Sequence, residues 1–146
     1  MLGLAIAITS EAFKDTKDKG GHPYILHCLR VMNAVRHMGV DAMCVAVMHD
    51  LIEDTDEGST IDYNVKVLMS LGFSSEVVYA VKALTKERNM EYNTYIHNIA
   101  TNTLVREVKL ADLRDNSDIT RLKGLTKKDF DRMQKYHTAY TYLSKI

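Results

Sequence analysis

Apolar positions recur along this chain at spacings of three and four, and no window shows sustained apolar/polar alternation. That pattern predicts helices nearly throughout and no substantial sheet. The first helix runs roughly over 3–17, with Leu4, Ala5, Ile8 and Ala12 on one face. A loop, "DKGGH", follows, and Pro23 then sits in the first turn of a second helix, where its missing N–H costs nothing. That helix, "PYILHCLRVMNAVRHM", ends before Gly39 as its C-cap. Asp41 N-caps a third, "AMCVAVMHDLIED". Ser59 to Asp62, "STID", reads as a capping box opening a fourth helix that stops at Gly72. Ser74 or Ser75 starts a fifth, with Val77, Val78, Val81 and Leu84 at core spacing. A sixth covers about 91–101 and a seventh about 103–117. The last, about 126–145, places Phe130, Met133, Tyr136 and Tyr140 on one side. With no repeat, low-complexity tract or linker, the expected architecture is a compact all-α bundle forming one domain over 1–146.

Composition narrows the partners. Lys plus Arg and Asp plus Glu number 19 each, so no net field recruits nucleic acid or an acidic membrane. Cys28 and Cys44 fit no zinc or disulfide spacing and lie in apolar helical patterns, as small buried hydrophobes of a reducing compartment do. The N-terminal "MLGLAIAITSEAF" lacks a basic leading region and grades into charged residues, so it reads as an amphipathic helix and not a leader. No run approaches the ~20 apolar residues needed to span a bilayer. The expectation is a soluble cytoplasmic protein without nucleic-acid or membrane partners. Self-association into a homo-oligomer is left open.

The candidate chemistry begins where the third helix ends. "AMCVAVM" runs straight into "HDLIEDTD". On a continuing helix His49 shares a face with Glu53, and Asp50 with Asp54. A helix C-terminus favours cations, so acids gathered there need a positive partner, and a divalent ion is one candidate. The alternative is an ordinary solvated loop. In the seventh helix, "REVKLADLRDNSD", Asp112 lies among Val108, Leu110 and Ala111, with Asn116 four residues on. A buried acid is costly unless it binds metal or is paired, here to Lys109, Arg106 or Arg114. His27 sits inside the apolar "YILHCLRV" and is either a ligand or a satisfied core histidine. His22, His37, His97 and His137 read as surface or packing residues, although His22 borders the candidate site. Together His27, His49, Asp50 and Asp112 offer two imidazoles and two carboxylates, a set suited to Mn²⁺, Fe²⁺ or Zn²⁺. Such a centre suits phosphoester or pyrophosphate hydrolysis.

At these residues the chain resembles the HD phosphohydrolase superfamily. More narrowly, it is similar to the (p)ppGpp hydrolase domain of RelA/SpoT proteins and to the small alarmone hydrolases. Three blocks carry the likeness: "GGHPYILHCLRV", "AVMHDLIEDT" and "VKLADLRDN", the E-D-T after the HD pair being the most specific. The resemblance implies that His27, His49, Asp50 and Asp112 hold one Mn²⁺. It implies that Glu53 and Asp54 orient and deprotonate the attacking water and assist the leaving group. Lys19 would bind phosphate, Tyr24 would line the pocket, and Asn116 would contact the nucleotide near its ribose or scissile phosphate. The implied reaction converts ppGpp or pppGpp to GDP or GTP by removing the 3′-pyrophosphate, without the synthetase activity of longer RelA/SpoT proteins.

The chain also departs from the family pattern. Asp18 stands where the family commonly has a base-stacking arginine; "AFKDT" replaces A-H-x-G-Q; and Cys28 replaces the proline after the metal histidine. These departures keep two alternatives in view, an HD-type phosphohydrolase of another nucleotide and a non-catalytic nucleotide-binding module.

Overall fold

The computed structural model describes residues 1–52 and 61–146. Among them lie eight α-helices: α1 (Leu2–Ala12), α2 (Tyr24–Ala34), α3 (Val40–Val47), α4 (Val65–Ser70), α5 (Ser75–Leu84), α6 (Tyr92–Ala100), α7 (Thr103–Asn116) and α8 (Lys127–Ser144). The all-α expectation is borne out. The described residues contain no strand, only an isolated antiparallel bridge between Lys17 and Pro23 that closes the loop after α1. No described helix is long and apolar enough to cross a membrane.

Four helices start on side-chain caps. Asn64, Ser74 and Asn102 accept the N–H groups of Val67, Val77 and Val105, and Thr126 forms a reciprocal capping box with Asp129 at α8. At the centre is α3, whose Ala42, Cys44, Val45, Ala46 and Val47 are all buried. A helix apolar on nearly every side belongs inside the core, and α1, α2, α5 and α7 pack around this one. Its small side chains let those neighbours approach closely.

Several boundaries differ from the sequence pattern, each for a local reason. α1 ends at Ala12, five residues early, and its inward face is Ala5 and Thr9, with Phe13 buried just beyond, while Leu4 is exposed. α2 stops at Ala34 and tightens into a 3₁₀ turn, Arg36–Met38, before Gly39 takes a φ of 100°. That glycine directly precedes α3, so Asp41 is a first-turn residue favoured by the helix dipole and not the N-cap. α4 is capped by Asn64 and not by the "STID" box, of which Ser59 and Thr60 lie outside the described residues. On α8 Asp129, Ala139 and Leu143 are buried and Tyr136 and Tyr140 pack against the core, but Phe130 is 59% exposed. The boundary that matters most is the end of α3 at Val47, because residues 48–52 are turns. His49 and Asp50 therefore stand beyond the helix, on these turns. Glu53 and Asp54 lie outside the described residues.

Candidate metal centre

The end of α3 shapes the site. A terminating helix leaves its last carbonyls without intrahelical partners, and the Nδ1–H of His49 donates to one of them, Ala46 O, at 2.7 Å. That bond fixes the tautomer and turns Nε2 inward. His27, buried on α2, is fixed the same way, its Nδ1 meeting Asp115 Oδ2 at 2.6 Å. The two Nε2 atoms then face each other at 3.3 Å.

Two carboxylates complete the cluster. Asp112 Oδ1, from the buried face of α7, lies 3.1 Å from His27 Nε2 and 3.2 Å from His49 Nε2. Asp50 Oδ2 lies 2.9 Å from His49 Nε2 and 3.8 Å from His27 Nε2. One donor atom from each of the four residues falls within 4.8 Å of every other. Ligands about 2.1 Å from a common ion stand roughly 3 Å apart along the edges of its coordination shell, so these spacings fit a single divalent cation. The bonds around the cluster are already committed: Tyr24 donates its hydroxyl to Asp50, Lys109 Nζ reaches Asp112 Oδ2 at 2.8 Å, and Asn116 Nδ2 donates to Asp112 Oδ1 at 2.9 Å.

The electrostatics lead to the same place. Burial alone would strip the proton from His49, but Asp50 and Asp112 outweigh it and hold the ring's pKa well above the ordinary range. His27 is likewise opposed by burial and raised by Asp112 and Asp115. Burial opposes ionisation of Asp112, yet Lys109 and the two histidines keep it far below the usual carboxylate range. Desolvation also opposes ionisation of the half-buried Asp50, but His49 above all holds its pKa below the ordinary value. The surrounding carboxylates thus pull both imidazoles toward the charged form, a pull that a cation among the four donors would satisfy.

Two cavities open beside the donors. One, of about 250 Å³, is walled by Asp50 and Asp112 with Tyr24, Lys86, Tyr92, Lys109, Asn116, Lys135 and Tyr136. The other, about 420 Å³, is lined by the loop residues Lys17, Asp18 and Lys19 with Phe13, Tyr24, Asn116, Arg121, Arg132 and Tyr136. Tyr24, Asn116 and Tyr136 are common to both. The sequence-derived site residues Lys19, Tyr24 and Asn116 thus line these cavities, and Tyr24 and Asn116 also bond two of the four donors. His22 stays exposed, 3.7 Å from Asp18 and outside the cluster.

The pairing alternative for Asp112 is realised with Lys109 but leaves Oδ1 facing both histidines; Arg106 and Arg114 turn instead to Ala100 O and the Tyr140 hydroxyl. Asp18 is also spent internally. Its Oδ1 accepts the N–H groups of Gly20 and His22, and its Oδ2 pairs with Arg121 at 2.8 Å. Gly20 is needed in this loop because an added Cβ would sit 2.0 Å from Arg121 O.

Sequence reasoning missed Asp115, Arg30, Arg121 and Arg132. A usable signal existed for two of them: Asp115 follows Asp112 by three residues and Arg30 follows His27 by three, the spacing of a shared helix face. Arg121 and Arg132 belong to later segments, and nothing local marks them. Tyr92 was missed as well; its hydroxyl is buried and has no hydrogen-bond partner among the described residues.

No family model matches the chain. A protein of Mycoplasma genitalium named as a probable guanosine-3′,5′-bis(diphosphate) 3′-pyrophosphohydrolase is 28% identical over 123 residues, covering 70% of this chain. The chain spans only 16% of that relative's length. A solved structure, described as a metazoan ortholog of SpoT that hydrolyzes ppGpp and plays a role in starvation responses, matches with a TM-score of 0.78 at 19% identity. The match covers 97% of this chain and 84% of that one, which establishes a common fold. The resemblance read from the three sequence blocks is borne out at the level of fold and distant sequence similarity.

Proposed function

We propose that this chain is a divalent-metal-dependent phosphohydrolase that removes the 3′-pyrophosphate of ppGpp or pppGpp, with Mn²⁺ as its ion. The observation that carries the reading is the convergence of His27 and His49 Nε2 with Asp50 and Asp112 oxygens at the wall of a cationic cavity. The names of the similar proteins supply the substrate class. When bound, the ion contributes Lewis acidity toward a phosphoryl oxygen and toward water.

The residues divide the remaining work. Tyr24 and Asn116 hold Asp50 and Asp112 in place through hydrogen bonds. Lys19 and Arg132 give the larger cavity a cationic wall for phosphate, and the buried Tyr92 hydroxyl is a further donor beside the smaller one. In the proposal Glu53 and Asp54 take the proton from the attacking water and return one to the leaving 3′-oxygen. Water adds at the phosphorus bonded to that oxygen, the ester P–O bond breaks, and the products are pyrophosphate and GDP or GTP. Incubating purified protein with ppGpp and Mn²⁺ should give GDP and pyrophosphate. An absence of product, or equal product from Asp50→Ala, sinks this reading.

A second reading keeps the centre and changes the nucleotide. Asp18 cannot stack on a base as a cation, and its carboxylate is already bonded to Arg121. A panel of nucleoside phosphates assayed with Mn²⁺ separates the two, since preferential turnover of a nucleotide without a 3′-pyrophosphate favours the second.

A further inference from the structure

We infer that Asp115 is a positioning residue that sets this centre's grip on its cation by acting through His27. The inference rests on the metal reading above but not on the identity of the nucleotide.

The geometry around this carboxylate is unusually constrained. Oδ2 meets His27 Nδ1 at 2.6 Å, so the ring nitrogen facing the carboxylate carries the proton and Nε2 is left toward the other donors. Arg30 then grips Asp115 through both oxygens, Nε to Oδ1 at 2.7 Å and Nη2 to Oδ2 at 3.2 Å. Arg121 Nη1 adds a bond to Oδ2 at 2.8 Å and another to the Asp115 carbonyl at 2.8 Å. Burial would raise the carboxyl pKa, but His27 and the two arginines bring it down to about 2, so the group is an anion throughout the neutral range.

A carboxylate behind a ligating imidazole does two things. It locks the ring's tautomer and orientation, and it makes the far nitrogen a stronger electron donor. Asp115 touches none of the reacting atoms, because His27 lies between it and the cluster. The other Nη of Arg121 is tied to Asp18, 2.8 Å away. One guanidinium therefore links the wall of the larger cavity to the partner of a metal ligand. Asp18 and Asp115 are joined by it into a single rigid frame.

The test is the affinity for Mn²⁺ alone, measured by calorimetry on metal-free protein shown by circular dichroism to be folded. Asp115→Ala should weaken binding roughly 10- to 100-fold, and Asp115→Asn, which keeps an acceptor but no charge, by less. High Mn²⁺ should restore most of the turnover lost in Asp115→Ala, which a merely loosened fold would not allow. Arg114→Ala, on the same helix but bonded to Tyr140, should lower stability while leaving the affinity within about 3-fold. A folded Asp115→Ala protein that binds Mn²⁺ like the parent overturns the inference. If that variant does not fold, Asp115→Asn decides, and an unchanged affinity there overturns it equally. A parent protein that binds no Mn²⁺ removes both this inference and the metal reading. Normal Mn²⁺ binding without nucleotide turnover removes only the proposed activity.

Discussion

His27, His49 and Asp112 rise from the most buried ground in the molecule, while the cavity beside them is walled by lysines and arginines on a loop and on helix surfaces. The outer polar atoms of these three, His27 Nδ1, His49 Nδ1 and Asp112 Oδ2, are each bonded to the protein, so their placement follows from core packing. Lys17 and Lys19, by contrast, are exposed and hang from the short Thr16–Gly20 loop, held by Asp18 and the bridge to Pro23. In the proposed function, binding an ion and choosing a nucleotide would therefore be built from different materials. The first should be rigid and insensitive to salt, and the second adjustable and screened by it.

The comparison breaks most readily at Asp112. Asp112→Ala should abolish Mn²⁺ binding to beyond about 100-fold. It should also destabilise the metal-free protein by about 3–5 kcal/mol, because the largely buried Lys109 loses its counter-charge. Calorimetry and urea denaturation read the two effects, and retention of either property contradicts the geometry.

Changing pH sharpens the same contrast. Both imidazoles have folded pKa values raised above 6.5, so their contribution to metal-free stability is complete below 6.5 and is lost as pH rises through those higher values. The ion must displace the same protons, so Mn²⁺ affinity should climb over that window, by up to about 100-fold per pH unit while two protons leave. Stability without metal and affinity for metal should thus slope in opposite directions. Parallel slopes would mean that the histidines are not the ligands.

On the cavity side the effects are smaller. Lys19→Ala should raise the KM for nucleotide about 5-fold, more at low salt than at high, with Mn²⁺ affinity unchanged. Smallest is the effect of thiol reagents on native protein. Burial pushes the Cys28 pKa up to about 12, so its modification should follow the rate of unfolding. Rapid labelling of folded protein would show a looser core around His27 than the packing implies.

What could be read from sequence divides along the same line. Periodicity located α5, α6 and α7 to within a residue or two, because their apolar faces and polar caps agree. It singled out His27 and Asp112 because each is a polar residue inside an apolar pattern, and His49 and Asp50 because acids gather where an apolar helix runs out. The helical-face argument placed His49 and Asp50 on a continuing helix, whereas α3 ends at Val47 and turns carry them. Periodicity could not locate that end, since apolar Met48 and Leu51 continue the pattern and both are buried. Arg121 was invisible because its meaning depends on Asp18, more than a hundred residues away in the chain.

The bond from the His49 ring to the Ala46 carbonyl joins two events usually kept apart. If the proposed ion binds, any fluctuation that unwinds the closing turn of α3 would swivel His49 away from it, and the ion would in turn rivet that turn shut. The lifetime of such a complex would then be a clock for the opening of one helix end, readable without unfolding anything else.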